Sequence, residues 1–278
     1  MDPADSNTSY ALGYTEAEHG RLIRQAALLA PVTERFFRDA GVGTGHSVLE
    51  LGSGMGDVAM LVARLVGPSG QVLGIERDAD SIKIAQARVA DAGFRNVSFS
   101  QKDITQLQSE KQFDAAVGRF ILQFVPDPVS VVRTLAASLR PGGIVAFHEP
   151  QWQPYQDLLR QLPLIRACAL TVRNTMQSSG VRTDSGLSLH NVFQQAGLPA
   201  PHMRIEMILG AQPGFTIWIC DLLFSLLPKA RQHGISLHAL GNLETLTERV
   251  HAEVTAANAV VPMIALVAAW STVPAAKS

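Results

Sequence analysis

The chain has 278 residues and only two cysteines, Cys168 and Cys220. That is too few for a disulfide scaffold, and the pair lacks the spacing of a zinc site. A reducing, cytoplasmic setting is expected, with no metal centre. An excess of charge of one sign is missing too. With 23 Lys+Arg against 24 Asp+Glu the formal charge is −1, so no basic surplus is available to neutralise phosphates, and nucleic acid is not an expected partner. Nor is there a long hydrophobic run. The longest, Ala259 to Trp270, contains Pro262 and falls short of the roughly 20 residues a membrane-crossing helix needs, so no membrane association is expected. The opening MDPADSNTSY has neither the basic cluster nor the apolar stretch of a targeting signal, which predicts a mature chain starting near Met1. No internal repeat, low-complexity tract or charge block occurs. What is present is 47% apolar and 17% charged residues, enough to bury a substantial core. Small-molecule chemistry is the class these absences leave.

From Ser47 to Glu149 short apolar runs alternate with longer amphipathic segments, and the runs themselves do not alternate, as strands covered on both faces should not. Strands are predicted at Ser47–Leu51, Val72–Glu76, Val97–Gln101, Phe113–Gly118 and Ile144–His148, with helices at Asp57–Val66, Ala79–Ala92 and Pro128–Leu139 between them. This is the pattern of a parallel sheet built from β-α-β crossovers. Residues 14–40 carry apolar positions at helical spacing and predict one or two helices ahead of the sheet. Beyond Pro150, helices are predicted at Tyr155–Gln177, Ser185–Ala196, Phe215–Leu227 and Leu243–Ala257, and strands at His202–Leu209 and Met263–Ser271. No linker is evident, so 1–278 reads as a single domain. It comprises an N-terminal helical lid over 1–40, a core over 45–150 and helical cap insertions at 151–182 and 213–258.

The strongest chemical signal is Glu50-Leu51-Gly52-Ser53-Gly54-Met55-Gly56-Asp57, between the first strand and the first helix. Glycines at 52, 54 and 56 permit positive φ and leave no side chain between the loop and a ligand, while the helix start offers free N–H groups. Glu76 ends the second strand, where a carboxylate can accept from both hydroxyls of a ribose. Asp103 follows the third strand, placed to accept from an adenine amine beside an apolar contact from Ile104. A nicotinamide enzyme fits less well, because the dinucleotide fingerprint would set its third glycine where Asp57 stands. No phosphate-binding G-x-x-x-x-G-K-[ST] run occurs either. His148, at the carboxyl end of the fifth strand beside Glu149, is the leading candidate for a general base, since imidazole titrates near neutrality. His190, His233 and His238 are weaker choices.

The ordered segments VLELGSGMG, GIERD, QKDI, FDAAVGRFILQFVPDP and LRPGGIVAFHEP resemble the class I S-adenosylmethionine-dependent methyltransferases, over most of the chain from Tyr10 to Pro274. The resemblance implies an α/β, Rossmann-like, doubly wound seven-stranded sheet, mostly parallel with a C-terminal antiparallel hairpin, plus a helical cap. It implies S-adenosyl-L-methionine as cofactor and S-adenosyl-L-homocysteine as product. Glu50 would orient the methionine amino group, Gly52 and Gly54 would approach the cofactor, Glu76 would hold the ribose and Asp103 the adenine, with Ser53, Arg77 and Ile104 in the same site. Arg119 and Phe120 would sit beside the methionine end. The opening YALGYTEAEHGRLIRQA resembles the family's front helix, with Tyr14, Arg21 and Gln25 as lid contacts. A substrate pocket for a small apolar acceptor would draw on Tyr10, Trp152, Met176 and Trp218, with Phe215 and Phe224 as further apolar candidates. Relatives of this family that cyclise or rearrange substrates, or only bind, share the same motifs, so a non-methylating function stays open. Nucleic-acid methyltransferases that carry a [DNS]-P-P-aromatic run after the fourth strand are not matched by Gly118-Arg119-Phe120-Ile121. Arg119 also stands where magnesium-dependent relatives carry acidic ligands. Apolar cap faces are compatible with a homodimer.

Overall fold

The structure, a computed structural model, describes residues 16–106 and 113–274. In chain order the elements are α1 (Glu16–Asp39), β1 (Ser47–Leu51), α2 (Asp57–Val66), β2 (Gln71–Glu76), α3 (Ala79–Asp91), β3 (Val97–Gln101), β4 (Phe113–Arg119), α4 (Pro128–Ala137), β5 (Leu139–Gln151), α5 (Trp152–Leu158), α6 (Pro163–Ser178), α7 (Leu189–Gln195), β6 (His202–Glu206), β7 (Leu209–Gly210), α8 (Pro213–Gln232), α9 (Leu246–Ala256), β8 (Val261–Pro262) and β9 (Ala265–Thr272). Local chemistry accounts for several boundaries. Asp78 and Asp127 cap α3 and α4 by accepting from the backbone N–H groups of Ser81 and Ser130, and Pro128 opens α4 at a position where its missing donor is not needed. Gly67, at φ 65°, ends α2. Among the described residues no helix is long and apolar enough to cross a membrane.

These residues fall into two compact units. One draws on residues 26–106, 113–149, 185–206 and 266–274, the other on residues 16–25, 150–184 and 207–265. Each is assembled from separated stretches of chain, so no linker composition marks the division in the sequence.

The larger unit holds a seven-stranded sheet in the order β3-β2-β1-β4-β5-β9-β6. β1 runs parallel to both β2 and β4, β2 parallel to β3, and β4 parallel to β5, whereas β6 and β9 are antiparallel. The chain leaves β1 toward β2 on one side and later builds β4 on the other. The connections therefore diverge at the carboxyl ends of β1 and β4 and open a crevice there, where sheets of this type bind ligands. Both faces are covered. Val48, Ala115, Val117, Ile144 and Ala146 face Phe36 and Phe37 of α1 and the apolar side of α2. Leu49, Leu51, Ala116, Val145 and Phe147 face the layer of α4 and α7. Because side chains alternate along a strand, this parity fixes the strand ends: Glu50, Arg119 and His148 belong to the α1/α2 face and Glu149 to the other.

In the smaller unit α6 packs on α8, and a two-stranded antiparallel pair joins β7 to β8. Its aromatic centre is Trp152, Tyr155 and Trp218, with ring centroids 5.8 Å, 5.8 Å and 6.5 Å apart. The Cys168 and Cys220 thiols are free and fully buried.

Several boundaries differ from the sequence reading. Tyr155–Gln177 is two helices, not one, because Pro163 starts α6 and the residue before a proline is disfavoured in helical conformation. β5 begins at Leu139 instead of Ile144, running through Pro141-Gly142-Gly143 with a register shift against β4 between Phe113 and Ala115. The His202–Leu209 strand divides after Glu206, and the last strand is Ala265–Thr272. Residues 185–188 precede α7 instead of opening it, whereas the single helix ahead of the sheet is one of the two arrangements the spacing predicts.

Candidate active site

The loop after β1 is a folded cradle. Gly52, Gly54 and Gly56 all have positive φ, at 64°, 49° and 79°, and they need glycine for different reasons. A Cβ on Gly52 would lie 2.5 Å from Ile121 Cδ1, so the loop is pressed against the segment after β4. A Cβ on Gly54 would meet nothing within 4 Å, so the protein leaves space on that side. Ser53 N donates to Ile75 O at 3.1 Å and Gly56 N to Ser53 O at 2.8 Å, pinning the turn to β2. Arg88 of α3 supports it from its other end, donating to Met55 O at 2.5 Å and, through Nη2, to Asp57 at 2.7 Å.

Glu76 is buried at the end of β2, and its carboxylate is held by three backbone donors. Gly54 N reaches Oε2 at 2.9 Å, while Arg77 N and Asp78 N reach Oε1 at 2.8 Å and 3.1 Å. Fixed in this way, its remaining lone pairs are preorganised for donors such as ribose hydroxyls. Ser53 Oγ and Glu50 Oε2 are both buried without any hydrogen-bond partner. Burial pushes the Glu50 carboxyl up to about 8, against the pull of the Arg119 guanidinium. An orphaned carboxylate oxygen is costly in a folded protein, and an ammonium group placed there would satisfy it.

After β4 the chain turns sharply. Phe120 adopts φ 57° without being glycine, and its N–H donates to His148 O at 2.9 Å. The next three residues are gathered by Glu149: its carboxylate accepts from the N–H groups of Ile121, Leu122 and Gln123 at 2.9, 3.0 and 3.1 Å and from Ser185 Oγ at 3.2 Å. Burial lifts the Glu149 carboxyl to about 7 even against these donors. The Glu149 side chain thus ties the end of β5 to the loop after β4. It was absent from the residues the sequence singled out, although its acidic type and strand parity were visible.

His148 does not have the surroundings of a general base. It is completely buried, packed 5.0 Å from the Phe36 ring, with Nδ1 3.4 Å from Thr33 Oγ1 and Nε2 unpartnered. Desolvation first, then the positive charges of Arg119 and Arg204, holds its pKa down to about 3. An imidazole so weakly basic stays neutral at physiological pH and has little driving force to take a proton. The expectation of a catalytic base is therefore corrected: strand parity turns the ring under α1. Arg119, paired in register with His148, is half-buried and donates from Nη1 to Thr33 Oγ1 at 3.1 Å.

The remaining candidates separate. Asp103 is exposed, and its Oδ1 accepts from Thr105 N and Oγ1 at 2.8 and 2.7 Å, so this oxygen holds the turn that Ile104 begins. Arg77 is exposed, and its carbonyl accepts from Gln101 Nε2. Gln25 accepts from Arg21 Nη1 at 2.6 Å, and Arg21 is itself in a buried ion pair with Glu18. Trp152, Met176 and Trp218 are buried in the smaller unit. Tyr10 and Tyr14 lie outside the described residues. His190, His233 and His238 are on α7, after α8 and in a 3-10 turn respectively. Sequence reasoning passed over Tyr155, whose hydroxyl is buried without a partner, as is Trp218 Nε1.

Comparison with known proteins bears on this cradle. A family profile described as "Methyltransferase domain" matches residues 43–197, a stretch that contains β1 through α7. A ubiquinone/menaquinone biosynthesis C-methyltransferase from Cellvibrio japonicus is 36% identical over 129 residues, 45% of this chain and 51% of that protein. An arsenite methyltransferase from Aquipseudomonas alcaligenes is 37% identical over 113 residues, 38% of this chain and 33% of that protein. The chain thus spans about half the length, or less, of these curated relatives. Among solved structures, the [4+2]-cyclase SpnF shares the fold with a TM-score of 0.52 at 21% identity, over 88% of this chain and 80% of that one.

Proposed function

Since the chain belongs to the methyltransferase-domain family and its cofactor is S-adenosylmethionine, we propose that it methylates a small, mostly apolar metabolite that arrives already nucleophilic. The bound cofactor supplies an electrophilic methyl on a sulfonium, open to in-line displacement, which leaves positioning as the protein's main contribution. In this reading Glu50 Oε2 receives the cofactor ammonium, Ser53 and Gly54 line its path, Glu76 holds the ribose, and Asp103 with Ile104 meets the adenine. The fit rests on an orphaned buried carboxylate oxygen, a glycine with open space beside it and a carboxylate fixed by three N–H groups.

The acceptor class rests on one observation. Tyr155 Oη and Trp218 Nε1 are buried without partners inside the aromatic cluster they form with Trp152. A ligand that is apolar over most of its surface and carries an oxygen would satisfy those polar ends while keeping the surroundings dry. Met176, also buried in this unit, completes the proposed lining. At the strand ends His148 is a weak base and Glu149 is bound by four donors. That supports an acceptor such as a phenolate, quinol or enolate, and the Cellvibrio relative, by name a C-methyltransferase of quinone biosynthesis, belongs to the same chemistry.

The test is incubation with methyl-labelled cofactor and a panel of quinols, phenols, amines and arsenite, reading S-adenosylhomocysteine release and label on the acceptor. Label on the oxygen-bearing apolar members, with a raised KM in Tyr155→Phe and Trp218→Phe, is expected. Transfer confined to arsenite or amines would defeat the acceptor class. Conversion of a substrate without S-adenosylhomocysteine would favour a cyclase-like reaction instead.

A further inference from the structure

One polar group on the α1/α2 face of the sheet belongs to none of the sequence motifs. Thr33 of α1 is fully buried and lies between two side chains that the strand register sets side by side, Arg119 of β4 and His148 of β5. Its Oγ1 is 3.1 Å from Arg119 Nη1 and 3.4 Å from His148 Nδ1. A guanidinium can only donate, so the hydroxyl oxygen accepts from Arg119, and with its second lone pair and its hydrogen it can either accept from His148 Nδ1 or donate to it.

Among the described residues the Arg119 side chain makes no other hydrogen bond and no ion pair, although Glu50 is close enough for the two charges to interact. Glu50 in turn leaves Oε2 without a partner. A tethered cation and an unpartnered carboxylate at neighbouring strand ends, not paired with each other, match the two ends of an amino-acid zwitterion. Bidentate pairing of a guanidinium with a carboxylate depends on the orientation of the fork, and Thr33 is what holds that orientation here.

We infer that Thr33 is a positioning residue for the amino-acid end of the cofactor. Its hydroxyl, oriented by His148, holds the Arg119 guanidinium where it receives the cofactor carboxylate, leaving Glu50 for the ammonium. The inference does not depend on which acceptor is methylated. Calorimetry on the full chain tests it with two ligands, S-adenosylhomocysteine and 5′-methylthioadenosine, the second of which keeps the adenosine and sulfur but has no amino-acid end.

Thr33→Val, which keeps the shape and removes the hydroxyl, is expected to weaken S-adenosylhomocysteine about tenfold or more and leave methylthioadenosine unchanged, and Thr33→Ser to restore binding. Equal weakening of both ligands, undiminished S-adenosylhomocysteine binding in Thr33→Val, or no rescue by serine would each overturn the inference.

Discussion

Glu50 should make cofactor binding release a proton, and the size of that release follows from its burial. The carboxyl sits 2% exposed with an unpartnered Oε2 and is pushed up to about 8. At pH 7 it is then about nine-tenths protonated, and ionising it to receive an ammonium costs about 1.4 kcal/mol, one pKa unit. The ligand amino group, of ordinary pKa near 8, is already mostly protonated at pH 7. S-adenosylhomocysteine binding should therefore expel close to one proton per site at pH 7, and its affinity should rise as pH rises from 6 toward 8. Calorimetry in two buffers of different ionisation enthalpy measures the release directly. Glu50→Gln, which resembles the protonated carboxyl, should bind more weakly and release almost none. The same shift carries a stability consequence with a definite sign. A carboxyl whose folded pKa lies above its unfolded value stabilises below about 4.5 and loses that contribution as pH rises toward 8. The ligand-free Glu50→Gln protein should accordingly gain stability at pH 8, on the order of 4 kcal/mol. A wild-type release below about a fifth of a proton at pH 7, or an equal release from Glu50→Gln, would refute the assignment.

Three further perturbations probe the surroundings. Gly52→Ala meets both a left-handed φ and a 2.5 Å approach to Ile121, whereas Gly54→Ala meets the φ alone. The first should lose more than about 2 kcal/mol in urea unfolding and the second about 1 kcal/mol, while Gly54→Val should abolish cofactor binding in calorimetry. Glu149→Ala strips the acceptor from three backbone N–H groups and should cost roughly 3–5 kcal/mol, with Glu149→Gln recovering part of it; equal stability in both variants and the wild type would remove Glu149 as the tie between β5 and the loop after β4. Glu76→Ala should weaken S-adenosylhomocysteine by roughly 1.5–3 kcal/mol, and unchanged affinity would take the ribose away from it.

The legible part of the fold was its central sheet. β1, β3 and α2 carry the predicted bounds, and β2 and β4 each extend one residue past them, because apolar runs punctuated by glycine and proline leave few alternatives. The cradle was legible for the same reason: glycines at fixed offsets and an acidic strand end are local signals. What stayed hidden depended on which element covers each face. Periodicity places His148 and Glu149 on opposite faces, but only the course of α1 shows that His148 ends beneath Thr33 and Phe36, and only the turn at Phe120 shows why Glu149 finds three N–H groups. Asp103 carried a strong positional signal, yet the sequence did not show that Thr105 two residues on engages its Oδ1 and leaves Oδ2 for the proposed adenine contact.

The alternation at the end of β5 also determines which kinds of genetic change the protein can absorb. Residues 148 and 149 deliver a neutral ring to one face of the sheet and a carboxylate to the other. Replacing either residue alters one face. Deleting one residue from Val145–Phe147 would move both back by one position, setting the carboxylate beneath α1 next to Thr33, the ring in the place of Phe147, and Pro150, which has no acceptor side chain, opposite the N–H groups after β4. Tolerance in this strand should therefore be asymmetric. A library of point substitutions there would retain many folded members, and a matched library of single-residue deletions almost none.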